Sequence, residues 1–186
     1  APDFIVGTSV GAVNGAWVAA RPDVAGIREL ADIWCSLSRR DVFPAHLSTG
    51  LLGLFGLGRS LAPDNGLRRV LKRHLQFRML EDAPTPFYCV ATDLLSGEDV
   101  LLSTGDAADA IAASAAIPAI LPPVRIDGRD LIDGGVVNNT PLSHAATLGA
   151  HVIYVLATGY ACALRSTPRG VLGLAMHAVT IAINQR

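Results

Sequence analysis

The sequence predicts an α/β domain, a sheet covered on both faces by helices, and three observations carry that expectation. Short apolar strand-like runs alternate with Ala-rich helical stretches along the chain. The Gly-x-Ser-x-Gly at 7–11 joins the first such run directly to the first helical stretch. Asp127-Gly128 separates two further strand-like runs with the dipeptide preferred in a two-residue hairpin turn. A chain of 186 residues, 51% of them hydrophobic, is long enough to bury one sizeable core, and a single domain over 1–186 is expected.

Residues 3–7 read as a short buried strand, running into an Ala-rich helix over 12–20 that Arg21-Pro22 closes. Ile27, Leu30, Ile33, Trp34 and Leu37 recur at helical spacing over 24–37. Residues 44–62 are loose and apolar, with glycines among Leu and Phe. Their 47–62 part reads as a cap whose Leu51, Leu52, Leu54, Phe55 and Leu57 either touch acyl chains or a bilayer, or pack on the core. A basic amphipathic helix is expected over 67–75, then strands over 86–93 and 99–102 about a turn at Ser96-Gly97. A helix over 106–116 stops at Pro118, and the hairpin 124–132 follows. Beyond it come a short helix over 141–148 ended by Gly149, a buried strand over 151–157 (HVIYVLA) and a last helix over 171–183. Neither an internal repeat nor a linker interrupts this order.

Composition excludes several classes. Fifteen Lys and Arg against sixteen Asp and Glu leave a net charge of −1, with no long block of like charge. Arg68, Arg69, Lys72, Arg73 and Arg78 form the densest basic stretch, but Leu67, Val70, Leu71 and Leu75 share it at helical spacing. That is the pattern of a solvated helix face, with docking to anionic headgroups as the alternative. No interleaved aromatics accompany it, which argues against a nucleic-acid partner. The mean hydropathy of +0.40 reflects a buried core, since no apolar run reaches the ~18–20 residues that span a bilayer. Cys35, Cys89 and Cys162 are odd in number and far apart, the wrong arrangement for a disulfide framework or a Cys-x-x-Cys site.

The chemistry concentrates at two places. In Gly7-Thr8-Ser9-Val10-Gly11 a strand must turn tightly into a helix with Ser9 at the apex, and Gly7 and Gly11 leave space for that turn and a neighbouring helix. The Val10 N–H, at the helix start, can donate to an oxyanion. The plain alternative is a small-residue turn made for close packing. Asp133-Gly134-Gly135 sets a carboxylate at a strand end beside two glycines, where it can approach another backbone or a ligand, or form an ordinary turn.

Three spaced blocks resemble the patatin-like phospholipase family: GTSVGAVNGA at 7–16, ASAAIPAILPPV at 113–124 and DGRDLIDGGVVNNTPLSHAATLGA at 127–150. FYCVATDLLSG at 87–97 resembles the strand and turn before the family's Ala-Ser-x-x-x-Pro block. The resemblance implies a mostly parallel sheet sandwiched by helices, as in the catalytic domain of cytosolic phospholipase A2. It implies a lipid acyl hydrolase with a Ser-Asp dyad, Ser9 as nucleophile and Asp133 as base, and neither metal nor cofactor. Ser114, Pro118, Gly134 and Gly135 then support the site. The implied partners are a phospholipid or other acyl ester and the periphery of a membrane. The compartment is open, with cytoplasm or a membrane surface expected.

The family's glycine-rich oxyanion loop, Gly-Gly-Gly-x-Arg/Lys-Gly, belongs upstream of the nucleophile, where this sequence has only residues 1–8. GLFGLG at 53–58 lies downstream and cannot fill that place. The expectation is therefore a family domain without its first strand, oxyanion loop and first helix, with a C-terminus at 184–186 that also stops early. Two rival readings remain. His144, His151 and His177 follow Asp133, the chain order of a Ser-Asp-His hydrolase, although none stands in a Gly- or Pro-rich loop after a strand. The other is an inert lipid- or protein-binding module of the same fold.

Overall fold

Strand β1 (Ile5–Thr8) leads through one residue into helix α1 (Val10–Ala20). In this computed structural model residues 1–42, 63–157, 167, 168, 170, 173, 174, 177, 178 and 181 are described. Helix α1 is rich in Ala, the strongest helix former, and its small side chains let it lie close over β1 and β2. Ala12, Val13, Gly15, Ala16, Trp17 and Ala19 are its buried residues. Asp23 caps α2 (Val24–Ser36) by accepting from the Gly26 N–H, and the Trp34 indole N–H donates to Asn14 Oδ1 to tie α2 to α1. A short α3 (Arg39–Val42) follows.

The basic helix is α4 (Asn65–His74), with Leu67, Val70 and Leu71 buried. Arg68, on its flank, pairs with Asp64 and Asp109, so this one cation of the cluster anchors α4 to the next helix. That helix, α5 (Ala107–Ser114), begins at Asp106, whose side chain accepts from the Asp109 N–H. Every residue of α5 except Asp109 is buried, against β2, β4 and β5.

β2 (Phe87–Asp93) is the middle of the sheet. It pairs with β1 on one side, and with β3 (Asp99–Leu102) and β5 (Arg129–Asp133) over its other pairings, and β5 pairs with β4 (Val124–Ile126). The registers that matter are Thr8 opposite Val90 and Asp133 opposite Ala91. They bring the C-terminal ends of β1 and β5 to the same level on either side of β2.

The α/β class, a central sheet flanked by helices, is as expected, but the strand directions are not mostly parallel. Among the described residues only β1–β2 is parallel, while β2–β3, β2–β5 and β4–β5 are antiparallel. Short turns explain two of these pairings. The Asp93 carboxylate closes the β2–β3 turn by accepting from the Leu95 and Ser96 N–H groups, which hold it below the usual carboxylate range. Asp127 and Gly128 turn β4 into β5 with φ of 48° and 81°, the two left-handed residues of a type I′ turn.

A second correction concerns 151–157. These residues form no strand, and Tyr154 and Leu156 are 88% and 86% exposed. β-structure needs a hydrogen-bonding neighbour, and HVIYVLA has none among the described residues; composition could not report that. The short helix over 141–148 is α6 (Leu142–Thr147), and Gly149 ends it with φ 92°. Positions 173, 174, 177, 178 and 181 are helical, as expected for the last helix. The 47–62 cap and Cys162 lie outside the described residues. Cys35 is an exposed free thiol and Cys89 a fully buried one, and burial pushes the Cys89 thiol up.

Candidate active site

The strand-to-helix turn at Ser9 is a single residue with φ 55° and ψ −126°. That conformation favours glycine and costs a side-chain-bearing residue ~1–3 kcal/mol, so the surroundings must hold it. Both backbone groups of Ser9 are held. Its N–H donates to Ser114 Oγ at 3.0 Å, and its carbonyl accepts from Ala12 and Val13 N–H at 2.9 and 3.3 Å. Ser114 is fully buried and its hydroxyl donates onward to the Val90 carbonyl at 2.6 Å, so α5 and β2 together fix the apex.

Gly7 and Gly11 play unequal parts. A Cβ on Gly7 would lie 2.6 Å from Ala12 Cα and from the Gly11 carbonyl, so the helix can fold back over the strand only because Gly7 has no side chain. A Cβ on Gly11 would meet nothing within 4 Å among the described residues. Among the described residues, no neighbour occupies the room at Gly11.

With its backbone held, the half-buried Ser9 turns its side chain towards β5. Ser9 Oγ–H donates to Asp133 Oδ2 at 2.6 Å. The other carboxylate oxygen, Oδ1, accepts from the Gly135 N–H at 2.7 Å. Asp133 itself is fastened by its N–H to the Ala116 carbonyl at 3.0 Å and by its carbonyl to Thr92 Oγ1 at 3.0 Å. Gly134 is needed here for a steric reason, since a Cβ would fall 2.1 Å from the Val90 carbonyl. Asp133 is only 3% exposed. Burial pushes its carboxyl above the ordinary value, and the hydrogen bonds from Ser9 and Gly135 offset part of that rise.

Two donors stand open beside Ser9. The Val10 and Gly11 N–H groups, at the start of α1, have no hydrogen-bond partner among the described residues. The Ser9 N–H is unavailable, because Ser114 takes it.

The remaining expected residues are placed as follows. Pro118 sits in the turn after α5 and makes no hydrogen bond to Ser9 or Asp133. His144 Nε2 lies 2.8 Å from Asp99 Oδ2, not on Asp133, whose two oxygens are taken by Ser9 and Gly135. His151 is exposed and His177 half-buried, and neither has a hydrogen-bond partner among the described residues. No group of three or more His, Cys, Asp or Glu side chains among the described residues could hold a metal ion. Sequence reasoning missed Thr8, Asp99 and Asn138: Thr8 Oγ1 donates to the Asn138 carbonyl at 3.2 Å, and Asn138 Nδ2 donates to Asp99 Oδ2 at 2.7 Å. Asn138 stood in the DGGVVNNTP run, but polar residues after a turn give no hint of a partner 39 positions upstream.

The model of the patatin-like phospholipase family matches residues 1–146. The chain belongs to the patatin-like phospholipase family. The match contains both Ser9 and Asp133 and ends within α6. Among relatives, a patatin-like phospholipase domain-containing protein of Caenorhabditis elegans is 27% identical over 161 residues, covering 84% of this chain and 14% of its own length. Patatin-like phospholipase domain-containing protein 7 of Rattus norvegicus is 28% identical over 159 residues, 84% of this chain and 11% of its own. A lysophospholipase of Pyricularia oryzae is 27% identical over 157 residues, 84% and 10%. This patatin-like chain thus spans between a tenth and about a seventh of those three relatives.

Proposed function

We propose that this patatin-like chain hydrolyses lipid acyl esters through Ser9 and Asp133. The observation that carries the reading is the 2.6 Å hydrogen bond from Ser9 Oγ to Asp133 Oδ2 at a strained strand-to-helix turn. Ser9 Oγ attacks the ester carbonyl carbon as its proton passes to Asp133 Oδ2. The carbonyl oxygen, now anionic, faces the open Val10 and Gly11 N–H groups at the positive end of α1. Asp133 returns the proton to the departing alkoxide, leaving an acyl ester on Ser9. A water then attacks that ester, gives its proton to Asp133, and Ser9 recovers the proton as the fatty acid leaves.

Burial of Asp133 supports this division of labour. A carboxylate at its reference pKa of ~3.9 is a feeble base near neutrality, and a raised value brings it closer to the proton it must accept. The position of Asp99 on His144 favours a dyad over a triad. A phospholipid or lysophospholipid is the proposed substrate class, since the Pyricularia relative is named a lysophospholipase. Its release from a bilayer implies a peripheral membrane contact. No nucleic acid and no cofactor enter this scheme.

The test is covalent trapping by a fluorophosphonate together with hydrolysis of a lysophospholipid. Ser9→Ala abolishes both. Asp133→Asn lowers kcat by about a thousandfold or more, because charge and base are lost together. Labelling that persists in Ser9→Ala overturns the nucleophile. A thousandfold loss on changing His151 or His177 to Ala restores a histidine base.

A further inference from the structure

We infer that Asn138, held by Asp99, which His144 holds in turn, is a positioning residue that sets where the Asp133 carboxylate points. The catalytic consequence rests on the Ser9–Asp133 reading. The latch itself rests on geometry alone.

Asp133 opens a 3-10 turn, Gly134–Val136, and its Oδ1 is oriented by an N–H of that turn, from Gly135. The aim of the carboxylate is therefore only as fixed as the turn. A three-residue 3-10 turn rich in glycine has little rigidity of its own. Asn138 closes it from the far side. The Asn138 N–H donates to the Gly134 carbonyl at 2.8 Å, and the Asn138 carbonyl accepts from Thr8 Oγ1, the residue before the nucleophile. Its Nδ2 donates to Asp99 Oδ2 at 2.7 Å. One residue thus binds the base's turn to the nucleophile's strand and to β3.

Asp99 is suited to be the fixed point. It stands at the first position of β3, paired with Thr92 in the ladder. The Asn138 amide first, and His144 after it, hold its carboxyl below the usual range, so at neutral pH it is ionised and can only accept. His144 Nε2 therefore carries the hydrogen and donates to Asp99 Oδ2, which brings α6 into the same cluster. Hydrogen bonds to a charged acceptor are about twice as strong as neutral ones, and this acceptor takes two on one oxygen.

Two measurements on this chain test the latch. In the first, kcat per fluorophosphonate-titrated site and KM for p-nitrophenyl butyrate are compared across Asn138→Ala, Asp99→Ala and their double variant. Each single change lowers kcat per site by about 10- to 100-fold with KM within about twofold, and the double variant is no worse than either. His144→Ala loses activity in the same direction, and His144→Gln, which keeps an N–H donor, recovers much of it. A role confined to stability would reduce the number of titratable sites and leave kcat per site unchanged, and that result overturns the proposal, as does additivity in the double variant. The second measurement needs no activity: amide hydrogen exchange at Gly135, Val137 and Asn138 speeds up by at least about tenfold in Asn138→Ala and Asp99→Ala, while β1–β2 amides hold. Unchanged exchange refutes the latch whether or not the chain turns over esters. Faster exchange in a chain that neither labels nor hydrolyses keeps the latch and removes the Ser-Asp mechanism.

Discussion

At Asp133 one side chain carries two opposed demands. It must be ionised to accept a proton from Ser9, yet its burial favours the neutral acid. The consequences for pH have definite signs. The folded value lies above the unfolded one of ~3.9, so the folded chain holds this proton more tightly than the unfolded chain does. The stability attached to that proton is fully present below ~3.9 and is lost as pH rises through the folded value. At neutral pH the ionised carboxylate therefore weighs against folding. Asp133→Asn removes that titration, so the variant should melt at a higher temperature than the wild type at pH 7, and the gap should close towards pH 3. In the wild type, kcat/KM should fall on acidification with a midpoint above ~3.9. A pH–rate profile with its acid midpoint at or below that value contradicts a buried base, and so does an unaltered melting temperature in the Asn variant.

Elements, not single residues, bring the two groups into reach. Neighbouring strands stand ~4.8 Å apart, so β1 and β5 are separated by two such steps with β2 between them. The dyad closes that gap because both residues sit at strand ends on the level of Val90 and Ala91. Fit between α1 and β1 sets the first of those positions, and the two glycines of the motif make it measurable. Gly7→Ala forces a Cβ to 2.6 Å from backbone atoms of α1, which should destabilise the chain by ~1–3 kcal/mol or more and displace Ser9. Gly11→Ala meets open space inside a helix and should be neutral or stabilising, by up to ~1 kcal/mol. Chemical denaturation of the two variants checks this; equal losses would mean that the turn is not set by α1 lying on β1.

Over the whole molecule, what the sequence made legible was local. The elbow at Ser9, the Asp127-Gly128 hairpin and the periodic helices each announce themselves within a few residues. The pairing of Ser9 with Asp133 was legible only through the family resemblance, because nothing local links positions 124 residues apart. The Asp99–Asn138 bond left no trace at all. HVIYVLA shows the opposite failure: its composition suits a buried strand, yet Val152, Tyr154, Val155 and Leu156 are exposed. Such a surface, with β1 unpaired on its outer side among the described residues, favours self-association. Tyr154→Lys with Leu156→Lys should lower light scattering of concentrated solutions while moving the melting temperature by little, since neither side chain is packed. A loss of stability comparable to a core truncation, ~2–5 kcal/mol, would mean that both are buried in solution.

The peptide linking Val90 to Ala91 has one further consequence. Val90 receives the Ser114 hydroxyl that fixes the nucleophile and crowds the glycine beside the base, while Ala91 faces the base across the ladder. Nucleophile and base are thus surveyed from a single benchmark in the chain. The lengths of turns within 10–89 and 92–132 that carry none of the groups holding Ser9 or Asp133 do not enter the measurement. Insertions at such turns leave the reaction calibrated as long as Ala12, Val13, Thr92, Asp99, Ser114 and Ala116 keep their places, so the choice of substrate can change while the chemistry stays put.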